Sequence, residues 1–127
     1  MSKDIEITVS ANSFADTIEK LINEYGNEVN EACRTVIKRV SHQTVKELKK
    51  TSPRKTGAYA KSWAYKPVKV SGRITEYTIY NKKPGLTHLL ENGHGGKSPA
   101  SAKPHIKPAE DFAIKELERQ IIEELEK

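Results

Sequence analysis

Residues 29–48, "VNEACRTVIKRVSHQTVKEL", decide the fold, because their apolar side chains recur at steps of three and four. This spacing places them along one face of an α-helix. The same pattern begins upstream at Phe14, so the sequence predicts one long amphipathic helix. Gly26 interrupts the pattern and predicts a kink or a split, since glycine costs about 1 kcal/mol relative to alanine inside a helix. Pro53 disfavours a helical residue before it, so the helix should end near Lys50.

The sequence on either side of this helix predicts a small sheet and a second helix. Residues 5–9 alternate apolar and polar side chains, which is typical of a short strand with one buried face. Residues 65–82, "YKPVKVSGRITEYTIYNK", read as a β-hairpin that turns at "SG". Residues 107–127 form a closing helix with Pro108 in its first turn. We therefore expect a single α+β domain, residues 1–127, in which a long N-terminal helix and a C-terminal helix pack on a small, mostly antiparallel sheet.

The apolar stripe of the closing helix is unusually wide. Leu117, Ile121 and Leu125 make one line, and Ile114 and Ile122 fall beside it. A helix that packs on one side only needs a narrower stripe. The width predicts two neighbours, the long helix and another subunit.

Composition limits the classes of protein that fit. A chain of 127 residues with 35% hydrophobic and 31% charged residues suits one domain with a modest core. No apolar run approaches the ~20 residues that span a bilayer, and the first residues lack an apolar signal core. We expect no membrane partner and a chain kept in a cytoplasm. The only cysteine, Cys33, lies in the helical pattern and is expected to be a buried thiol.

Charge is distributed unevenly along the chain. Residues 1–33 carry a net charge of −5 and residues 34–73 a net charge of +11. Residues 74–105 carry +2, and residues 106–127 carry −3. A chain that is acidic at both ends and basic in the middle could bind nucleic acid. It could equally assemble head to tail, with a basic face on an acidic face.

Four residues raise the question of a metal site. His88, Glu91 and His94 stand at spacings of three and three, and His105 follows. Gly93 is placed to end a short helix over residues 86–92, so the pattern fails the zinc-protease motif in both spacing and continuity. A looser His/Glu metal site stays open. The alternative is that these side chains satisfy backbone groups, brace loops or face a neighbouring subunit.

A loop and a short helical turn precede the hairpin in "TSPRKTGAYAKSW", residues 51–63. Thr56 and Gly57 could start the turn, which would place Tyr59 and Trp63 on one face. Trp63 is the only tryptophan, and it is expected either in the core or as an interface anchor. By its small and polar composition, "GGKSPASAKP" is a loop that orders against a partner.

Three stretches resemble a phage protein family in order and approximate spacing: residues 51–63, residues 84–96 ("PGLTHLLENGHGG") and residues 103–109 ("KPHIKPA"). The family is the gene-product-ten-like tail-component family of Hong Kong-type long-tailed phages, also labelled head–tail joining or tail-completion proteins. The resemblance covers the middle and C-terminal half of the chain. The matching positions are Ser52, Pro53, Thr56, Gly57, Trp63, Gly85, Leu86, His88, Leu89, Glu91, Gly93, His94, Pro104, His105 and Pro108.

The resemblance implies a structural protein of the phage or prophage neck or tail end, with no enzyme activity and no cofactor. Its partners would be connector or tail-terminator proteins, with further copies of itself in a ring. It would be found in the virion and, during assembly, in the host bacterial cytoplasm. DNA binding is expected to be weak and non-specific. Two other functions stay open, a nucleic-acid-binding module that uses residues 34–73 and a metallohydrolase that uses the four His and Glu residues.

Overall fold

The chain folds into helices packed on one face of a three-stranded sheet, which confirms the predicted α+β class. The computed structural model describes residues 6–10, 15–26, 28–53, 57–70, 73–83 and 104–127. In chain order the elements are β1 (Ile7–Ser10), α1 (Ala15–Tyr25), α2 (Glu28–Thr51), α3 (Ala58–Lys61), β2 (Trp63–Val70), β3 (Arg73–Asn81) and α4 (Ile106–Leu125).

The sheet has the strand order β1-β3-β2, and both pairings are antiparallel. Strands β2 and β3 form the predicted hairpin, which begins earlier than expected because Trp63 already pairs with Asn81. Strand β1 lies on the other side of β3, where Ile7 pairs with Ile79. The alternation of the sequence therefore places one row of side chains from all three strands on the helix-facing side.

Gly26 splits the predicted long helix into α1 and α2. Its φ of +68° lies in the left-handed region, which a right-handed helix cannot contain. The amide of Gly26 still bonds to the carbonyl of Ile22 at 2.8 Å, so the last turn of α1 closes on the glycine. The second helix ends at Thr51, one residue from the predicted end.

The core lies between the sheet and the two longer helices. Five side chains that are at most 1% exposed come from α2, β3 and α4, namely Val36, Val40, Ile79, Leu117 and Ile121. They belong to one hydrophobic cluster, which β1 also joins. Cys33 lies in that cluster as predicted, and burial raises the pKa of its thiol.

One local prediction was wrong. Trp63 does not share a helical turn with Tyr59, because α3 ends at Lys61 and Trp63 is the first residue of β2. Pairing with β3 gives the Trp63 backbone a ladder partner and leaves the indole only 2% exposed. A four-residue helix offers neither advantage, so strand pairing overrides the local pattern.

Several predicted features lie outside the described residues. They are the start of the first helix at Phe14, the "SG" turn, the short helix over residues 86–92 and the "GGKSPASAKP" loop up to residue 103. Within the described ranges, no helix is both long enough and apolar enough to span a membrane.

Candidate assembly surface

Three aromatic rings from distant parts of the chain meet in the core. Tyr59 lies in α3, Trp63 begins β2, and His105 immediately precedes α4. Their ring centroids are 5.5 to 6.2 Å apart, and each pair is edge-to-face. The Tyr59 hydroxyl and Nε2 of His105 are 2.7 Å apart and share a hydrogen bond. His105 and Trp63, which the sequence singled out separately, are each only 2% exposed. Both rings therefore pack in the core, and neither is presented to solvent.

Two polar side chains complete this group. The indole nitrogen of Trp63 donates to the hydroxyl of Ser52, which follows α2, at 2.8 Å. The amide nitrogen of Asn81 donates to the Tyr59 carbonyl at 2.9 Å. Both polar side chains are 4% exposed, so these bonds replace water that cannot reach them. We call Ser52, Tyr59, Trp63, Asn81 and His105 the anchor cluster.

The anchor cluster holds the chain on both sides of residues 84–103. On the N-terminal side, the side-chain oxygen of Asn81 accepts the backbone N–H of Lys83 at 2.8 Å, and Lys82 donates its backbone N–H to the Ser62 carbonyl at 3.0 Å. On the C-terminal side, His105 is bonded to Tyr59 within the cluster. The two flanks of this twenty-residue segment are therefore fixed at one place in the core.

Sequence reasoning missed Asn81, although a signal was present. Asparagine followed by Lys82, Lys83 and a proline is typical of a turn in which the side chain bonds the backbone two residues on. The bond from Lys83 to Asn81 is that turn. The burial of Asn81 and its bond to Tyr59 depend on a residue 22 positions away, which no local signal contains.

The other predicted site residues lie apart from the anchor cluster or outside the described residues. Gly57 precedes α3 with a φ of +81°, a value that favours glycine and starts the helix carrying Tyr59. On α4, Ile114 is 37% exposed and Ile122 is half-buried. The remaining five, which lie outside the described residues, are Thr56, His88, Glu91, Gly93 and His94.

These positions bear on the two other functions in different ways. Among the residues that the structure describes, no three His, Cys, Asp or Glu side chains are grouped to hold a metal ion. The hydrogen bond to Tyr59 occupies Nε2 of His105, and three of the four predicted ligands are outside the described ranges. Tyr59 and Trp63, being buried, present no open ring face on which a nucleic-acid base could stack.

A polar seam aligns α2 with α4. The side chain of Gln120, 4% exposed, accepts a bond from Arg39 at 3.1 Å and donates to Gln43 at 2.8 Å. Arg39 also pairs with Glu124 at 3.5 Å. Residue numbers rise along α2 as they fall along α4, so the helices are antiparallel. The start of α2 consequently lies beside the end of α4.

Carboxylates gather where α2 starts and α4 ends. A groove of about 230 Å³ there is lined by Glu28, Glu31 and Glu124 among others. Tyr25, the last residue of α1, lies at the same end, and the charge of Glu24, then burial, then the charge of Glu126 raise the pKa of its phenol. The exposed carboxylates of Glu24, Glu28 and Glu126 form no ion pair with any described residue; we call these three the acidic end.

Lysines gather at the opposite tip, where α2 ends. Lys46 and Lys50 line a groove of about 360 Å³. Lys61 ends α3, and the backbone bond from Lys82 to Ser62 brings the β3 end beside it. Lys83 follows Lys82 in the chain. All five of these lysines are exposed, and none of them forms an ion pair within the described part of the chain. We call Lys46, Lys50, Lys61, Lys82 and Lys83 the basic end.

Comparison with known proteins identifies one family. Residues 13–93, more than half of the chain, match the family model described as "Bacteriophage HK97-gp10, putative tail-component". No curated protein and no solved structure matches the chain. The matched range includes α2, the hairpin and four of the five anchor-cluster residues, and it also covers His88 and Glu91.

Proposed function

Because this chain belongs to the HK97-gp10-like family of bacteriophage tail components, we propose that it is a structural subunit of the phage neck or tail end. It joins the head to the tail or completes the end of the tail that meets the head. Family membership supports a structural role in a phage particle and speaks against an enzyme. The finer assignment is ours, and it rests on how the fold holds its polar segment.

The anchor cluster is the observation that carries this proposal. Its five buried side chains, three of them polar, fix both flanks of residues 84–103. Buried polar groups are costly unless they are fully bonded, so a fold keeps them where they define one arrangement. Within that segment, residues 95–103 are small and polar in composition, with too few apolar side chains to form a core of their own. Contact with a partner protein is the role that such a segment, held at both ends, fits best.

The outer side of α4 is a second contact in this proposal. Ile114 is one of two large apolar side chains that are exposed in the described residues, at 37%. Its neighbours on the solvent side, Asp111, Lys115 and Glu118, are charged and exposed. A connector or tail-terminator protein, or a further copy in a ring, would cover it. Each ring contact can be weak, since repetition around the ring multiplies it.

The proposed place of action is the virion neck or tail, after assembly in the host bacterial cytoplasm. A phage that lacks the protein, complemented from a plasmid, tests this. We expect unjoined heads and tails in electron micrographs without complementation, and normal particles with the wild-type chain. Normal infectious titre without the protein would refute the proposed function.

Two exposed positions separate the α4 contact from general damage to the fold. Ile114→Asp should leave the circular dichroism spectrum and the melting temperature nearly unchanged, because exposed substitutions cost within about 0.5 kcal/mol. It should still lower the titre, since a buried unpaired carboxylate at an interface is costly. Lys69→Asp, at an exposed position of β2, is the matched control and should complement fully. A folded Ile114→Asp protein that complements fully would exclude the contact at α4.

A further inference from the structure

The acidic end and the basic end lie at opposite tips of the same helix pair. The 24 residues of α2 separate them, which corresponds to about 36 Å at 1.5 Å per residue. This distance is several times the Debye length of about 8 Å at physiological salt. The two sets of charges therefore do not neutralise each other within one molecule.

The charges that no described partner neutralises are opposite in sign at the two tips. Away from the tips, charges of both signs are mixed: Arg119 pairs with Glu116, whereas exposed Lys115 and Glu118 on α4 and Lys38 on α2 have no ion-pair partner among the described residues. At the tips the signs separate, because three carboxylates at one end and five lysines at the other have no ion-pair partner among the described residues. Where two proteins associate, a patch of one sign commonly faces a patch of the opposite sign on the partner.

We propose that the acidic end of one copy docks against the basic end of the next copy, so that the chain assembles head to tail. The lysine-lined groove at the end of α2 receives the acidic tip formed by α1 and the end of α4. Each copy then uses two different surfaces, one toward the preceding copy and one toward the following copy. Such a heterologous contact closes into a ring when the rotation per copy allows it, and otherwise continues as a filament.

The acidic tip also carries an apolar side chain that suits a protein partner. Ile22 is 41% exposed and lies in the last turn of α1, one turn before Gly26. Interfaces between proteins combine an apolar contact with a charged rim, whereas binding of small ions needs no exposed isoleucine. A second copy with the opposite charge at the facing tip supplies the complementary charged rim and covers Ile22.

This proposal rests on the proposed function, since it specifies how copies of the subunit would contact each other in a ring. It predicts weak self-association in the purified full-length protein, strongest at low ionic strength. Sedimentation velocity over a series of protein concentrations measures it. Raising salt from about 50 mM to about 500 mM should reduce the association at least tenfold, because screening shortens the range of exposed charges. A protein that stays monomeric at every concentration and salt would overturn the proposal, as would a dimer that grows no further.

Charge reversal identifies the surfaces. Lys46→Glu with Lys50→Glu reverses two of the five lysines at the basic end, and Glu24→Lys with Glu126→Lys reverses two of the three carboxylates at the acidic end. Each double variant alone should associate at least about tenfold more weakly than wild type, because repulsion replaces part of the attraction at the contact. An equimolar mixture should recover the association, since the unchanged acidic end of one variant meets the unchanged basic end of the other, and the substituted positions at the two altered ends also carry opposite charges. Failure of the mixture to recover would overturn the proposal even if each variant alone is weakened.

A matched control removes the effect of net charge. Lys38→Glu with Lys69→Glu makes the same charge change as the lysine double variant, at exposed positions in the middle of α2 and in β2. It should associate as wild type does. Circular dichroism and melting temperature check the fold of all variants, including the two lysine replacements near the C-terminal end of α2, where added negative charge costs a few tenths of a kcal/mol.

The same variants separate this proposal from the proposed function and from DNA binding. If the phage needs the protein but both charge-reversed chains complement it fully, the head-to-tail contact is wrong and the structural function stands. If the phage does not need the protein, the function itself is wrong. If reversal of the basic end abolishes retention on duplex DNA but leaves self-association unchanged, that end binds nucleic acid and the head-to-tail contact is overturned.

Discussion

Asn81→Asp should destabilise the protein far more than its size suggests, because it replaces a donor by an acceptor in the anchor cluster. The side chain is 4% exposed. Its amide nitrogen donates to the Tyr59 carbonyl at 2.9 Å, and its oxygen accepts the backbone N–H of Lys83 at 2.8 Å. Aspartate keeps the shape and the second bond. It loses the first bond and sets a carboxylate oxygen against the carbonyl.

The magnitude follows from two costs. Losing the bond and stranding the Tyr59 carbonyl costs about 1–3 kcal/mol. Burying a carboxylate adds to this, and the folded chain limits the addition by raising the pKa of the new group. We expect a total loss of about 2–4 kcal/mol in the free energy of unfolding at neutral pH.

The sign of the pH dependence is a second test of the same substitution. The folded pKa of the new carboxyl lies above its unfolded value of about 3.9. The variant therefore keeps most of its stability below the unfolded pKa and loses it as pH rises through the folded pKa. The gap in stability between variant and wild type should narrow in acid.

Urea unfolding followed by tryptophan fluorescence measures both effects. Trp63 is the only tryptophan and pairs directly with Asn81 across the hairpin, so the signal comes from the perturbed site. Asn30→Asp, the same change at an exposed position in the first turn of α2, is the control and should stay within about 0.5 kcal/mol of wild type. Equal losses in the two variants, or a gap that does not shrink in acid, would show that the Asn81 bonds do not stabilise the cluster.

Four further outcomes are expected. Ser52→Ala should lower the free energy of unfolding in urea by about 1–3 kcal/mol, because it removes the acceptor of the buried Trp63 indole. Thr51→Ala, at the exposed neighbouring position, should lower it much less, and equal losses would contradict this reasoning. Burial raises the pKa of the Cys33 thiol, so the stability of the wild-type protein is retained below the usual thiol pKa and falls as pH rises through the folded pKa. Cys33→Ala should lose less stability at alkaline pH. If the variant loses as much stability as wild type, another group causes the alkaline loss. Protein purified without chelator should contain no stoichiometric metal by elemental analysis, and one zinc or manganese per chain that His88→Ala removes would support the metal site instead. Duplex DNA binding should be weak and independent of sequence, and it should fall steeply between about 50 and 200 mM salt; tight binding that discriminates between sequences would favour the nucleic-acid module.

Residue types and spacing alone predicted only part of the anchor cluster. Trp63 and His105 were singled out from the sequence, yet nothing in their spacing indicates that their rings meet. Tyr59 was predicted to lie beside Trp63 on a shared helical face. The two rings do meet, but Trp63 is the first residue of a strand and not part of the helix. Asn81 gave only a turn signal. The exposure of Ile114 agrees with the widened stripe, and its partner stays a prediction.

The sequence by itself determined the elements of this protein. The three-and-four spacing in residues 29–48 predicts a helix, Gly26 predicts a kink or a split, and residues 65–82 predict a hairpin. These signals are local, because a residue's own backbone preference and its neighbours within one turn or one strand pair produce them.

Only the tertiary structure decided what those elements bring together. The pairing of β1 with β3, the antiparallel packing of α4 on α2 and the meeting of Tyr59 with His105 join residues that are about 45 to 85 positions apart. The separation of unpaired carboxylates and lysines to opposite tips also follows from that packing, since the sequence places acids in both terminal regions. Such contacts depend on which distant side chains fit and bond each other once the core excludes water, and no short stretch of sequence contains that information.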